Sequence, residues 1–257
     1  MGSFRRGEES PFISTNGLSS NQVIKRPVRQ PITSRRKSTL LSVLRYLLTA
    51  LVLAWCLAAL ALVSLRWIDP PTTAVQTQRH LQAIAHHTPY TKRFTFVALR
   101  QISPDLQHAV IAAEDARFYQ HNGFDWHEVQ IAAKEDIEGE RTRGASTLTQ
   151  QLVKNIFFGT SRSVLRKGAE AGLVPVAEFV LGKQRILELY LNTVEWGPGI
   201  YGADAASRYY YSVPARAISR QQGAHLAAVL PAPLRRRPER MNSYSAVILR
   251  RMRQMGW

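Results

Sequence analysis

Ala109–Trp126, AVIAAEDARFYQHNGFDW, is the stretch on which the reading of this chain turns. An apolar run delivers a Glu-Asp pair, followed by an aromatic, a His and a Gly-Phe-Asp. Upstream, Ser103-Pro104-Asp105 predicts a helix start, with Ser103 as N-cap and Pro104 at the first helical position. Leu106, Ala109, Val110 and Ala113 recur at helical spacing, so one face is expected to be buried. Glu114 follows Val110 by one turn and emerges beside that face near the helix end. A carboxylate placed there is partly desolvated, which raises its pKa toward that of a working base. Gln120-His121-Asn122-Gly123 then breaks the pattern. Taken alone, Glu114-Asp115 is equally a solvated helix end and His121 a structural hydrogen-bonding histidine; the downstream segments decide.

Working outward, the 257 residues suffice for one globular domain plus an anchor and a tail. The one cysteine, Cys56, lies in an apolar run, so no disulfide framework exists. The formal net charge is +16. Nine Lys/Arg and two Asp/Glu precede Arg66, leaving 25 and 16 behind it. Both parts are basic, which points to an anionic partner: nucleic acid or a membrane surface.

Residues 1–45 read as a basic tail, with 1–38 rich in Ser, Arg, Pro, Asn and Gln and expected to be disordered. Tyr46–Leu65, YLLTALVLAWCLAALALVSL, is twenty residues without a charge and matches the ~20 needed to cross a bilayer. It is long for a signal-peptide core and starts late for one. Arg35, Arg36, Lys37 and Arg45 precede it, whereas Arg66 behind it is offset by Asp69. The positive-inside rule therefore predicts a cytoplasmic N-terminus and an extracytoplasmic domain over 66–257. That placement removes nucleic acid as a partner and favours a membrane-borne substrate.

Past the anchor the pattern is helical. A short helix is expected around Val75–Ile84, a short strand in Arg93–Leu99, and a helix opened by Asp125 with Glu128 as a capping box. Glu135–Arg143 reads as a mobile charged loop. In Arg143–Phe158, RGASTLTQQLVKNIFF, Ser146 is the expected N-cap. Thr147, Gln151 and Lys154 fall within about 60° of one another around the helix, with Leu148, Leu152 and Ile156 on the far side. A hydroxyl, an amide and an ammonium in a row suit a sugar and a phosphate. Ser163–Lys183 reads as a long helix, kinked at Pro175, on which Arg166 and Glu170 share a face. Arg185–Asn192 is a further helix, Glu195–Gly202 a Gly/Pro turn, and helices follow over 204–211, 219–230 and 243–255. There is no βαβ alternation, no Gly-rich phosphate loop and no Cys/His metal cluster.

Four of these segments together resemble the monofunctional biosynthetic peptidoglycan transglycosylases, members of glycosyltransferase family 51. The matching segments are Glu114–Gly123, Gly144–Asn155, Arg166–Glu170, and Arg185–Asn192 with the turn over 195–202, in that order. One departure is Val213, before Pro214, where the family places a Lys or Arg. The resemblance implies a mainly α, lysozyme-like transglycosylase domain behind a single N-terminal transmembrane helix. It implies polymerisation of lipid II into β-1,4-linked glycan strands, with inversion and release of undecaprenyl pyrophosphate. Carried over, Glu114 is the general base and Glu170 the second carboxylate. Lys154, Arg166 and Lys167 lie near the pyrophosphate. Thr147, Gln151 and Asn155 contact substrate, and Asp115, Phe118 and His121 support the base. Mg²⁺ or Mn²⁺ bridged by the substrate pyrophosphate is the implied ion, with no protein metal cage. The implied partners are lipid II, the nascent strand, the bacterial inner membrane and other cell-wall synthesis proteins. Two rival readings are a lytic enzyme of lysozyme type, which needs neither the basic set nor an anchor, and a non-catalytic scaffold, for which Glu114 and Glu170 would be dispensable.

Overall fold

A computed structural model describes residues 32–137, 146–160 and 163–257, with side chains placed from Thr39 onward. The tail over 1–31, and Gly144 and Ala145 of the second matching segment, lie outside the described residues. The chain divides into two units, 1–47 and 48–257. In the first, the described residues belong to the opening part of α1 (Ile32–Ser64), so helix begins well before Tyr46. Within α1, Thr39–Ser64 is long and apolar enough to cross a membrane, with Arg45 as its one charged residue. Its leucines from Leu40 to Leu60 are exposed, as a lipid-facing helix requires.

The second unit carries the core. Thr73 caps α2 (Ala74–Ala85), accepting from the Gln76 N–H. Strand β1 is only Arg93–Phe94, shorter than the alternation over 93–99 suggests. Pro104 opens α3 (Pro104–Glu114) as expected, although the Ser103 side chain makes no cap bond. Asp125 does cap α4 (Trp126–Ile137), accepting from the N–H groups of His127 and Glu128. That helix includes the first residues of the segment expected to loop; the remainder, 138–143, is not described.

α5 (Leu148–Val153) runs into a π-helical turn over Lys154–Phe158. α6 (Val164–Thr193) packs along α5. Its break falls at Gly182 (φ 68°, ψ 167°), not at Pro175 as the sequence suggests. Glycine adopts that conformation without a Cβ clash, so the two halves of α6 can leave in different directions there. The Gly/Pro turn is a tight pair of strands, β2 (Glu195–Gly197) and β3 (Ile200–Tyr201), which pair antiparallel. β3 also pairs in parallel with β1, at Arg93↔Ile200 and Phe94↔Tyr201. α7 (Ala203–Tyr211), α8 (Arg220–Ala227) and α9 (Asn242–Gln254) follow.

The buried stripes meet in one core. Leu106, Ala109 and Val110 of α3 join Leu148 and Leu152 of α5, Leu173, Val174 and Ile186 of α6, and Ile248 and Met252 of α9. α8 and α9 pack on α3, and the Arg251 guanidinium donates to the Ala112 carbonyl in the last turn of α3 (3.2 Å). A cation there satisfies a free carbonyl and opposes the negative end of the helix dipole.

Candidate active site

Glu114 is the last residue of α3, half-buried at the rim of the core. Gln151, on α5, donates from Nε2 to Glu114 Oε2 at 2.9 Å. The Tyr190 hydroxyl, fully buried in the second half of α6, donates to Gln151 Oε1 at 3.0 Å. The three side chains form a relay that fixes the amide's orientation and aims its N–H group at the carboxylate. Desolvation holds the Glu114 pKa above its ordinary range, against the Gln151 bond and the charges of Lys154 and Arg236. The α3 C-terminus pushes the same way, since its dipole end is negative.

Lys154 opens the π-helical turn and faces both carboxylates: Glu170 and Glu114 each act on its ammonium. Burial nevertheless lowers its pKa, with Arg166 and Lys167 adding to that effect. π-turns recur at functional sites, and this one puts Lys154 and the buried Asn155 at the end of α5. Glu170 is itself buried, 1% exposed. Its two oxygens take Arg166 Nη1 and Lys167 Nζ, the latter at 3.2 Å. The pair at 166 and 170 is therefore not an ordinary surface ion pair, because removing either partner strands a desolvated charge.

Asp115 and Phe118, both buried, and His121, half-buried, lie on the protein side of Glu114. Asp115 accepts the Leu148 N–H on Oδ2 (2.9 Å) and meets His121 Nε2 on Oδ1 (2.9 Å). His121 Nδ1 accepts the Gly123 N–H (3.1 Å), so the ring proton sits on Nε2 and points at Asp115. Asp115 thus ties the end of α3 to the start of α5, which holds Glu114 opposite Gln151. Phe118 is fully buried, with Lys183 Nζ 4.5 Å from its ring centroid.

Thr147, expected to contact substrate, is turned into the protein. It is the N-cap of α5, in place of Ser146, in a reciprocal capping box with Gln150. Its hydroxyl also donates to the Gly123 carbonyl (2.7 Å), and the residue is 2% exposed. Helical spacing aligned it with Gln151 and Lys154, but a residue at N-cap has left the helical backbone, so the spacing does not apply to it.

Sequence reading passed over three residues beside the base. Tyr190 was legible only as a core position. Arg236 and Tyr244 come from the loop after α8 and from α9; the Arg236 guanidinium lies 5.4 Å from the Tyr244 ring centroid. Tyr244's pKa is raised by burial and by Glu114. No local signal joins these positions to residue 114.

For a metal ion, Asp115, His121 and Asp125 form the one cluster of such side chains among the described residues. It fits Mg²⁺ or Mn²⁺ poorly. The His121 proton points into the cluster, Leu148 occupies Asp115 Oδ2, and Arg117 lies 3.7 Å from Asp125. These hard cations favour an oxygen-rich set free of neighbouring cations.

The mainly helical domain thus carries a half-buried carboxylate, Glu114, and a buried one, Glu170, with the charge of Lys154 acting on both and Arg166 paired to the second. Residues 80–253 match the family model described as Transglycosylase. A biosynthetic peptidoglycan transglycosylase of Aeromonas hydrophila is 46% identical over 231 residues, covering 88% of this chain and 95% of its own. Proteins of the same name from Shewanella oneidensis (46% over 202 residues, 77% and 85% covered) and Pseudomonas entomophila (44% over 196, 75% and 83%) are also similar. The chain belongs to the transglycosylase family.

Proposed function

We propose that this peptidoglycan glycosyltransferase polymerises lipid II into β-1,4-linked strands, with Glu114 as the base. A sugar hydroxyl is a poor nucleophile, so its proton must leave as the bond forms. Glu114 takes that proton from the acceptor 4-hydroxyl. The oxygen attacks the anomeric carbon of the donor with inversion, and the bond to undecaprenyl pyrophosphate breaks. The leaving group departs as an anion and needs fixed positive charge rather than an acid. Lys154, Arg166 and Lys167 supply it. Glu170 serves on the leaving-group side, holding Arg166 and Lys167 in place. Asp115, Phe118 and His121 position the base, and Thr147 caps α5. Mg²⁺ or Mn²⁺ enters only as part of the pyrophosphate substrate.

The observation that carries this reading is the half-buried Glu114 with a raised pKa, facing Lys154, which in turn faces Glu170. The basic flank at Arg35–Arg45 supports a single-pass inner-membrane protein with residues 1–45 in the cytoplasm, a span at 46–65 and the domain over 66–257 in the periplasm. The test is polymerisation of labelled lipid II by the full chain beside Glu114→Gln. Polymer from the wild type alone is expected; normal turnover by the variant would sink the base assignment.

A further inference from the structure

α6 carries Arg166, Lys167 and Glu170 on its first half, and Gly182 separates that half from the second. A Cβ at Gly182 would have nothing within 4 Å, so no side chain crowds the break itself. The inner face of the first half is held by the core through Leu173, Val174 and Ala177. On the outer face, Val164, Leu165, Gly168 and Phe179 are exposed. Gly172 is exposed too, but it has a neighbour from another helix. A Cβ there would stand 3.3 Å from Trp55 Nε1 and 4.0 Å from its Cδ1, with no other group outside the helix itself within 4 Å.

Trp55 belongs to the apolar helix α1, and that contact does not stand alone. The Arg66 guanidinium donates to the Val180 carbonyl (2.9 Å). Arg185 donates to the carbonyls of Leu65 (2.8 Å) and Ile68 (3.2 Å) and pairs with Asp69 (2.7 Å). Leu62 and Leu65 are buried in the core. The contacts therefore run in the same sense along both helices: Trp55 with Gly172, then Arg66 with Val180, then Leu65 to Asp69 with Arg185. The lower contacts fix the end of α1. The Trp55 indole, 42% exposed, meets the charge-bearing half of α6 at Gly172, as Arg66 meets it further along at Val180.

We propose that Trp55 is a positioning residue of the glycosyltransferase site: seated in the notch at Gly172, it sets the first half of α6 and so the placement of Glu170, Arg166 and Lys167. This rests on the lipid II reading above. Gly172 is two residues beyond Glu170, so a helix shifted at 172 moves the carboxylate with it. Shifts of about 1 Å in a catalytic group can cost on the order of 10²-fold in rate. A leucine at 172 favours the helix over glycine by roughly 1 kcal/mol, so a loss of activity there cannot be a loss of helix.

The test uses the full chain in lipid or detergent, with kcat, KM and Tm measured for wild type, Trp55→Ala, Trp55→Phe, Gly172→Leu and the Trp55→Ala/Gly172→Leu double. Trp55→Ala and Gly172→Leu should each lower kcat about tenfold, with KM within about twofold and Tm not reduced. Trp55→Phe should retain most activity. The double variant should recover to within about threefold of wild type, because the leucine fills the notch the indole vacates. Full activity in Trp55→Ala, or losses that multiply in the double, would overturn the proposal while leaving an active wild type and its substrate reading intact. A wild type that makes no polymer overturns both.

Discussion

Replacing Gln151 with leucine separates the chemistry of the base from the stability of the fold. The amide gives Glu114 its one side-chain hydrogen bond among the described residues, at 2.9 Å, and accepts the Tyr190 hydroxyl at 3.0 Å. Hydrogen bonds to a charged group contribute roughly 1.5–3 kcal/mol. Losing this one should raise the Glu114 pKa by the equivalent of that free energy. The direction follows because the bond favours the carboxylate, and burial, already pushing upward, is left unopposed by it. The acid limb of kcat/KM should therefore move to higher pH by that amount, read from initial rates of lipid II polymerisation over about pH 4 to 9. The same change strands a fully buried Tyr190 hydroxyl, which should lower stability by about 1–3 kcal/mol. Adding Tyr190→Phe removes the stranded group and should return most of the stability without moving the acid limb back. An acid limb unchanged in Gln151→Leu, or restored by Tyr190→Phe, would refute the relay.

Two further outcomes are expected. Thr147→Ala should lower stability by about 1–2 kcal/mol in thermal or urea unfolding, since it removes an N-cap and a bond to Gly123, while kcat per folded molecule stays near wild type. A selective loss of kcat or KM would return Thr147 to the substrate. Glu114→Gln should raise Tm at neutral pH. A carboxyl whose folded pKa lies above its unfolded value stabilises fully only below the unfolded value and loses that contribution as pH rises through the folded one. The neutral amide escapes this cost, so the gain over wild type should shrink as pH falls through the ordinary carboxylate range; a pH-independent difference would contradict the raised pKa.

Much of the site is legible because its pieces are local. α3 and α5 each present a periodic apolar stripe, and Glu114, Gln151 and Lys154 fall where those stripes end or turn outward. The short strands were less legible: β1 and β3 owe their pairing to residues more than a hundred positions apart, so alternation within 93–99 overstated the strand. Arg236 and Tyr244 reach Glu114 only through the packing of α8 and α9 on α3.

The sequence by itself determined an apolar helix able to span a bilayer, a mainly helical domain behind it, and an ordered set of acidic and basic side chains. Charge, periodicity and spacing are properties of neighbouring residues, and they survive without a fold. Tertiary structure decided where those side chains stand and what they touch. It turned Thr147 inward as a cap, buried Glu170 between two cations, and bent α6 at Gly182 rather than Pro175. It also seated Trp55 against Gly172. Each outcome depends on desolvation and contact between segments distant in the chain, where the cost of an unpaired buried group or a missing Cβ is set by the neighbour that packing supplies.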